Sequence, residues 1–388
     1  MIAVRATSFW VIFDTCTEPD YYQDVHNVLA LPRGATVRYE YREQWLSPAA
    51  VQAASDPPSA PTAILLVYAQ WKDYTKGGTS PASPPPAEEM AWLPIRLADM
   101  QLIPPREGDN FFFDFKLGDY PRLDSDCLRD ILSPLMAAQE VPLHKWVSIS
   151  HDVEALKSLR SQLDSDNWQK IVDSLATPPM QFQGDTFWRV KGPYRPSSRP
   201  IQPTYREERQ YVSGTEQSRQ VTSLYNLDEN EGCSIEVISH TPPTPREALS
   251  GSNVPQRRLQ VQVDQGGPLS LEGDTTLDLR HYTAQSIRVR ATRSEELDER
   301  ATIVRLNSAA QPTQWPTGPD VRLRFSVKKG TSRMFAATCF GLCGALFVFI
   351  AGNIWDQNNA ASVAVGLAGT ALIFIASVLL RGKLPMTL

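Results

Sequence analysis

The chain has 388 residues, 43 acidic against 38 basic side chains, a formal net charge of −5 and 31 prolines. It is too long for one ordinary domain, so at least two are expected. The acidic balance excludes a general nucleic-acid binder but leaves room for a local basic patch.

The opening stretch MIAVRATSFWVIFDTCTEPD has a short apolar run broken by Ser8 and Asp14. It has no small-residue cleavage site and predicts a strand rather than a signal peptide. ATVRYEYREQW, AILLVYAQW, AWLPIRLADMQLI and NFFFDFKL follow as strands, rich in β-branched and aromatic residues. Val37, Tyr39 and Tyr41 alternate with Arg38, Glu40 and Arg42, and in FFFDF Asp114 is expected on the wet face. Pro-rich segments at 55–61, 77–89, 192–203 and 239–256 predict loops, because proline cannot serve a central strand. Helical spacing appears at Leu128, Ile131, Leu132 and Leu135, then at Val153, Leu156, Leu159 and Leu163. A further helix carries Trp168, Ile171, Val172 and Leu175. Residues 1–180 therefore predict an α+β domain.

From 181 to 329 the pattern is short alternating strands such as RLQVQV and VRLRFSV, which predict an all-β, sandwich-like domain. Two runs without charge follow, 334–355 and 360–380, each close to the length that spans a hydrocarbon core. They predict two transmembrane helices in an antiparallel hairpin. The fold class expected is thus an α+β N-terminal domain, a β-sandwich-like second domain and a C-terminal transmembrane hairpin. Gly341, Ala345, Gly366 and Gly369 are the expected helix-packing positions, because small residues let helices approach closely. Lys328, Lys329 and Arg333 precede the hairpin, Arg381 and Lys383 follow it, and its connector has no Lys or Arg. That asymmetry predicts both termini in the cytoplasm of a cell whose plasma membrane holds the hairpin. Arg288, Arg290, Arg293, Arg322 and Arg324 extend the basic bias; the expected role is anionic-lipid contact, with a site for an anionic ligand or nucleotide as the alternative.

Catalytic motifs are absent from the sequence. It has no phosphate-binding glycine loop, G-x-S-x-G, H-E-x-x-H or paired C-x-x-C. Five scattered cysteines do not make a disulfide framework. His151-Asp152 and Asp124 with Asp126 are explained by helix caps. No enzyme activity, cofactor or metal is expected. The hairpin below a cytoplasmic body resembles membrane-acting effectors of bacterial anti-phage defence systems. The resemblance implies an oligomer that disrupts or opens the inner membrane on a signal from a cytoplasmic partner. It is one of layout only and assigns no residue. The alternative is a non-catalytic scaffold that tethers a partner to the membrane.

Overall fold

The computed structural model describes residues 9–14, 19–55, 62–72, 90–104, 107–122, 147–150, 153–161, 163–180, 182, 185–212, 215–242, 258–264, 267–279, 284–292, 301–308, 319–328, 331–354 and 359–381. The expected helix around Leu128–Leu135, the connector at 355–358, Cys16, Cys127, His144, His151, His281 and Arg293 lie outside the described residues.

The first unit is a six-stranded sheet in the order β2-β5-β4-β3-β1-β6. Its strands are β1 (Phe9–Asp14), β2 (Thr36–Arg42), β3 (Ala63–Trp71), β4 (Met90–Leu102), β5 (Asn110–Leu117) and β6 (Val147–Ser150). β1 and β3 run parallel, with Val11 opposite Leu65, and the other neighbours are antiparallel. The unbroken apolar run of β3 is explained by helices on both faces, since a strand covered on both sides needs no polar alternation. One face packs on α1 (Pro19–Ala30), α2 (Pro48–Ser55) and α4 (Asn167–Leu175). In α4, Trp168, Ile171, Val172 and Leu175 recur at helical spacing and are all buried. The other face, with Phe9, Val11, Phe13, Leu65 and Val67, is covered by Leu159 of α3 (Val153–Ser161).

The second unit pairs a four-stranded sheet, β12-β14-β10-β7, with a six-stranded one, β13-β11-β15-β16-β9-β8. The first holds β7 (Phe187–Tyr194), β10 (Gly232–His240), β12 (Leu269–Glu272) and β14 (Ala284–Ala291). The second holds β8 (Thr204–Val212), β9 (Thr215–Asp228), β11 (Arg258–Val263), β13 (Thr276–Asp278), β15 (Thr302–Ser308) and β16 (Asp320–Lys328). Strict alternation puts Ile235, Val237, Ile287 and Val289 from one sheet and Val304, Leu306, Val321, Leu323 and Phe325 from the other into one apolar cluster. All pairings are antiparallel except β9 with β16, where Phe325 lies opposite Tyr225.

The two units are joined by polar side chains that stand in for backbone partners. Asp114 on β5 is fully buried, not on a wet face. The guanidinium of Arg38 on β2 donates to both its oxygens at 2.7 and 2.9 Å, and the amide of Val221 on β9 donates to it at 2.8 Å. Arg38 also donates to the carbonyl of Arg219. Alternation along β5 does direct Asp114 away from the phenylalanine face; β9 occupies the space where water was expected. Nearby, Asn27 accepts from the amide of Asp320, and the Tyr205 hydroxyl donates to the carbonyl of Gly34 at 3.0 Å. At Gly34, whose φ is +88°, a Cβ would come within 3.0 Å of Pro203. Arg96 is 1% exposed and donates to the carbonyls of Val28 and Leu31, closing the C-terminal end of α1, and to Gly118 at 2.9 Å. Cations suit that end of a helix because its last carbonyls lack intrahelical partners. Burial lowers the pKa of this guanidinium, with the Tyr120 ring 4.5 Å away partly offsetting it.

Two helices end the described chain, α5 (Thr331–Ile354) and α6 (Asn359–Arg381), packed against each other. The expectation of two transmembrane helices is corrected here: among the described residues no helix is long and apolar enough to cross a membrane. The integral inner-membrane location, and the placement of both termini relative to a bilayer, fall with the spans.

Candidate interaction surface on the helical hairpin

The contact between α5 and α6 is set by two glycines. A Cβ on Gly344 would lie 2.6 Å from the carbonyl oxygen of Gly369, and one on Gly369 would lie 2.7 Å from that of Gly344. The backbones therefore touch at this crossing, and no side chain fits between them. Ser362 donates to the carbonyl of Ala351 nearer the connector, and Thr370 back-bonds to Gly366 at 2.9 Å.

Of the positions expected to pack the helices, Gly369 sits at the crossing itself. Gly341 and Gly366 have ordinary space: added Cβ atoms would stand 3.9 Å from Ala376 and 3.5 Å from Ala351. Ala345 is exposed and faces away from the partner helix. Gly344, also a small residue of the first run and expected with the other glycines to allow close contact, is located by a simple count. It lies eleven residues before Trp355, as Gly369 lies eleven after Asn358, so an antiparallel hairpin must bring them together. Symmetry about the connector picks this pair out of the several small residues in the two runs.

The expected basic residues do not form one group. Lys328 ends β16, exposed, in register with Asp228. Arg333 lies in α5 and Arg381 in α6, but their side chains, together with Lys329 and Lys383, lie outside the described residues. Arg288 and Arg290 belong to β14 of the four-stranded sheet, whereas Arg322 and Arg324 belong to β16 of the six-stranded sheet. Both pairs alternate with buried neighbours and so point outward from opposite sides of the sandwich. Arg322 lies 3.0 Å from Asp320, which Arg305 also holds at 2.7 Å, and Arg324 lies 3.2 Å from Glu208. Burial would raise the pKa of Asp320, but the hydrogen bonds from Arg305 and Arg322 outweigh it and hold this carboxyl below its ordinary range.

The apolar surface is concentrated in one place. Among the described residues, ten of the eleven exposed large hydrophobic side chains lie on the hairpin, and the eleventh is Tyr205. Leu342, Leu346, Phe349, Leu367 and Phe374 are each 59–70% exposed. Ordinary protein surfaces scatter such groups singly, and a continuous apolar patch marks an interaction site.

No protein-family model matches the chain, and no curated protein matches it. Neither comparison bears on the resemblance to defence effectors, which rests on layout. The membrane-opening effector and the membrane tether both required the spans corrected above, and both are set aside.

Proposed function

We propose that this protein is a non-enzymatic assembly and binding module whose copies associate through the helical hairpin, so that the β-rich bodies are displayed together. The observation that carries this reading is the segregation of exposed apolar side chains onto α5 and α6. The occupant of that surface is a second copy of the chain. Met334–Leu380 carries one charged residue, Asp356 in the connector, so whatever covers the helices is apolar along their length. Another hairpin supplies such a surface with matching length, whereas the described body exposes only Tyr205. Ten side chains with roughly 100 Å² exposed apiece give about 1,000 Å² of apolar surface per copy, spread around the hairpin, so that more than one neighbouring copy is needed to cover it. Linking binding domains in this way raises avidity without any new contact to a partner.

Binding rather than turnover is supported by the tasks of the reactive groups. Asp114 holds Arg38 and the Val221 amide at the seam between the units, and Asp320 holds Arg305 and Arg322. Burial, with Glu231 adding to it, pushes the Cys233 thiol up to about 12, away from the thiolate that a nucleophile requires.

Sedimentation of the full chain, with and without lipid vesicles, tests the assembly. The expected result is an oligomer in lipid-free buffer that dissociates when Leu342, Phe349 and Phe374 are changed together to Ser. A chain that stays monomeric at tens of micromolar, or that floats with vesicles one copy at a time, overturns the reading.

A further inference from the structure

The outer face of the four-stranded sheet carries a trough of about 720 Å³ that no role described so far uses. Its floor is made of short side chains. Ser234 on β10 lies between Tyr194 on β7 and Arg288 on β14, and Ser286 lies opposite Glu236. The other neighbour of Glu236 is Gly192, at an irregularity in the strand pairing where φ is +138°, which adds no side chain to that row. Lys191, Tyr194 and Arg195 rise along one side and Arg288 and Glu272 along the other. The Ser234 and Ser286 hydroxyls hydrogen-bond to each other across the strands. Two hydroxyls carry two hydrogens and their mutual bond uses one, so one donor remains for a ligand.

The charges in and beside the trough do not balance. Lys191 lies 4.0 Å from Glu236, Arg195 pairs with Glu231, and Arg290 lies 3.5 Å from Glu272. Glu272 is also the register neighbour of Arg288, but its ion pair is with Arg290. Among the described residues Arg288 has no carboxylate within ion-pair distance. One positive charge is therefore left over, on a guanidinium beside a hydroxyl pair at the floor of a groove. Planar guanidinium donors with neighbouring hydroxyls match the geometry of an oxyanion.

We propose that this trough binds a ligand bearing a carboxylate or phosphate group, held by Arg288 and by the Ser234–Ser286 hydroxyl pair. The single excess charge matches a monoanion better than a dianion, so a carboxylate is the preferred group. The volume is several times that of the anion alone and leaves room for the body that carries it. The inference does not depend on assembly through the hairpin, which lies on other elements.

Calorimetry on the full-length protein tests the site with four probes: a capped alanine peptide with one glutamate, the same peptide with phosphoserine, the same with glutamine, and inorganic phosphate. The glutamate and phosphoserine peptides should bind saturably and the glutamine peptide should not. Arg288→Gln should weaken binding by about tenfold, as expected for loss of a charge-assisted pair, and Ser234→Ala by about threefold. Arg322→Gln, on the opposite sheet, should leave binding unchanged. If inorganic phosphate binds as tightly as the peptides, the natural ligand is a free small oxyanion; if the peptides bind tighter, the anion is carried on a chain. No saturable binding of any probe up to about 10 mM, a limit corresponding to negligible affinity, overturns the proposal. So does equal weakening by Arg288→Gln and Arg322→Gln, which would mean that only overall charge matters.

Discussion

In β3 of the body, eight successive residues from Ala63 to Gln70 are buried, and helices cover both faces of their sheet. In α5 of the hairpin, Leu342, Leu346 and Phe349 are equally apolar and stand 59–70% exposed. The two regions contain the same kinds of side chain, and what differs is whether the chain itself supplies a cover. The body spends long polar side chains, among them Arg38, Arg96 and Asp114, on closing its seams. The hairpin closes on itself at the Gly344–Gly369 crossing and at the Ser362 bond to Ala351, and its outer apolar side chains have no cover within the described chain. Substitutions in the body should therefore change stability at any protein concentration. Substitutions on the hairpin surface should change a concentration-dependent quantity instead.

The largest effect is expected at Asp114. Replacing it with Ala leaves Arg38, whose side chain is 20% exposed, without its bidentate partner and the Val221 amide without an acceptor. Loss of one member of a fully buried pair costs about 3–5 kcal/mol; because water reaches Arg38, about 2–3 kcal/mol is expected here, to be read as a lower urea midpoint. An unchanged midpoint would mean that the body does not rely on this seam. Next is the hairpin crossing. Gly344→Ala should cost about 1–3 kcal/mol of hairpin stability because two backbones must part. Gly341→Ala has space and should change it by less than about 0.5 kcal/mol, or improve it through helix propensity. Thermal melts of the two variants decide this, and equal effects would remove the crossing from the account.

A smaller effect on the protomer is expected from Phe349→Ser. The side chain is 70% exposed, so the stability of the isolated protomer should move by no more than about 0.5 kcal/mol, as for other surface changes. The sedimentation distribution should nevertheless shift toward the protomer. The smallest effect is that of Glu207 on β8. Hydrogen bonds from Arg219 and Arg209 lower its carboxyl from 4.5 to about 2. A depressed pKa contributes stability that is present above about pH 4.5 and is lost as pH falls through about 2. The side chain is 33% exposed, so solvent screening holds the contribution to a few tenths of a kcal/mol. Glu207→Gln should flatten the acid limb of the stability curve by that amount and leave neutral pH nearly unchanged.

Much of the secondary structure was legible in the sequence, because periodicity reports burial directly. Trp168, Ile171, Val172 and Leu175 gave a helix at 3.6 residues per turn, and RLQVQV gave β11 at two per turn. Placement between units was not legible. Nothing near Asp114 announces that the backbone of residues 219–221, over a hundred positions later, will cover it. The arginines show the same limit. Arg288 and Arg322 look alike in alternating strands, yet they lie on opposite sheets, and only one has a carboxylate partner among the described residues. The absence of charge in the last two helices was plain to see, but it reports only that the cover must be apolar. It does not say what the cover is, and the sequence reading supplied a bilayer where the structure describes no spanning helix.

The parallel pairing of β9 with β16 has a consequence for the order in which the molecule can be made. It joins 224–228 to 324–328, so the six-stranded sheet has no complete centre until β16 has been synthesised. Pairing at that separation is slow, because a long loop must close before the contact rewards it. The next segment to emerge is the hairpin, which begins at Thr331. The apolar surface of the hairpin is thus made after all the described strands of the body. Under the proposed assembly, nascent chains would in this way be kept from meeting while their sheets are still open.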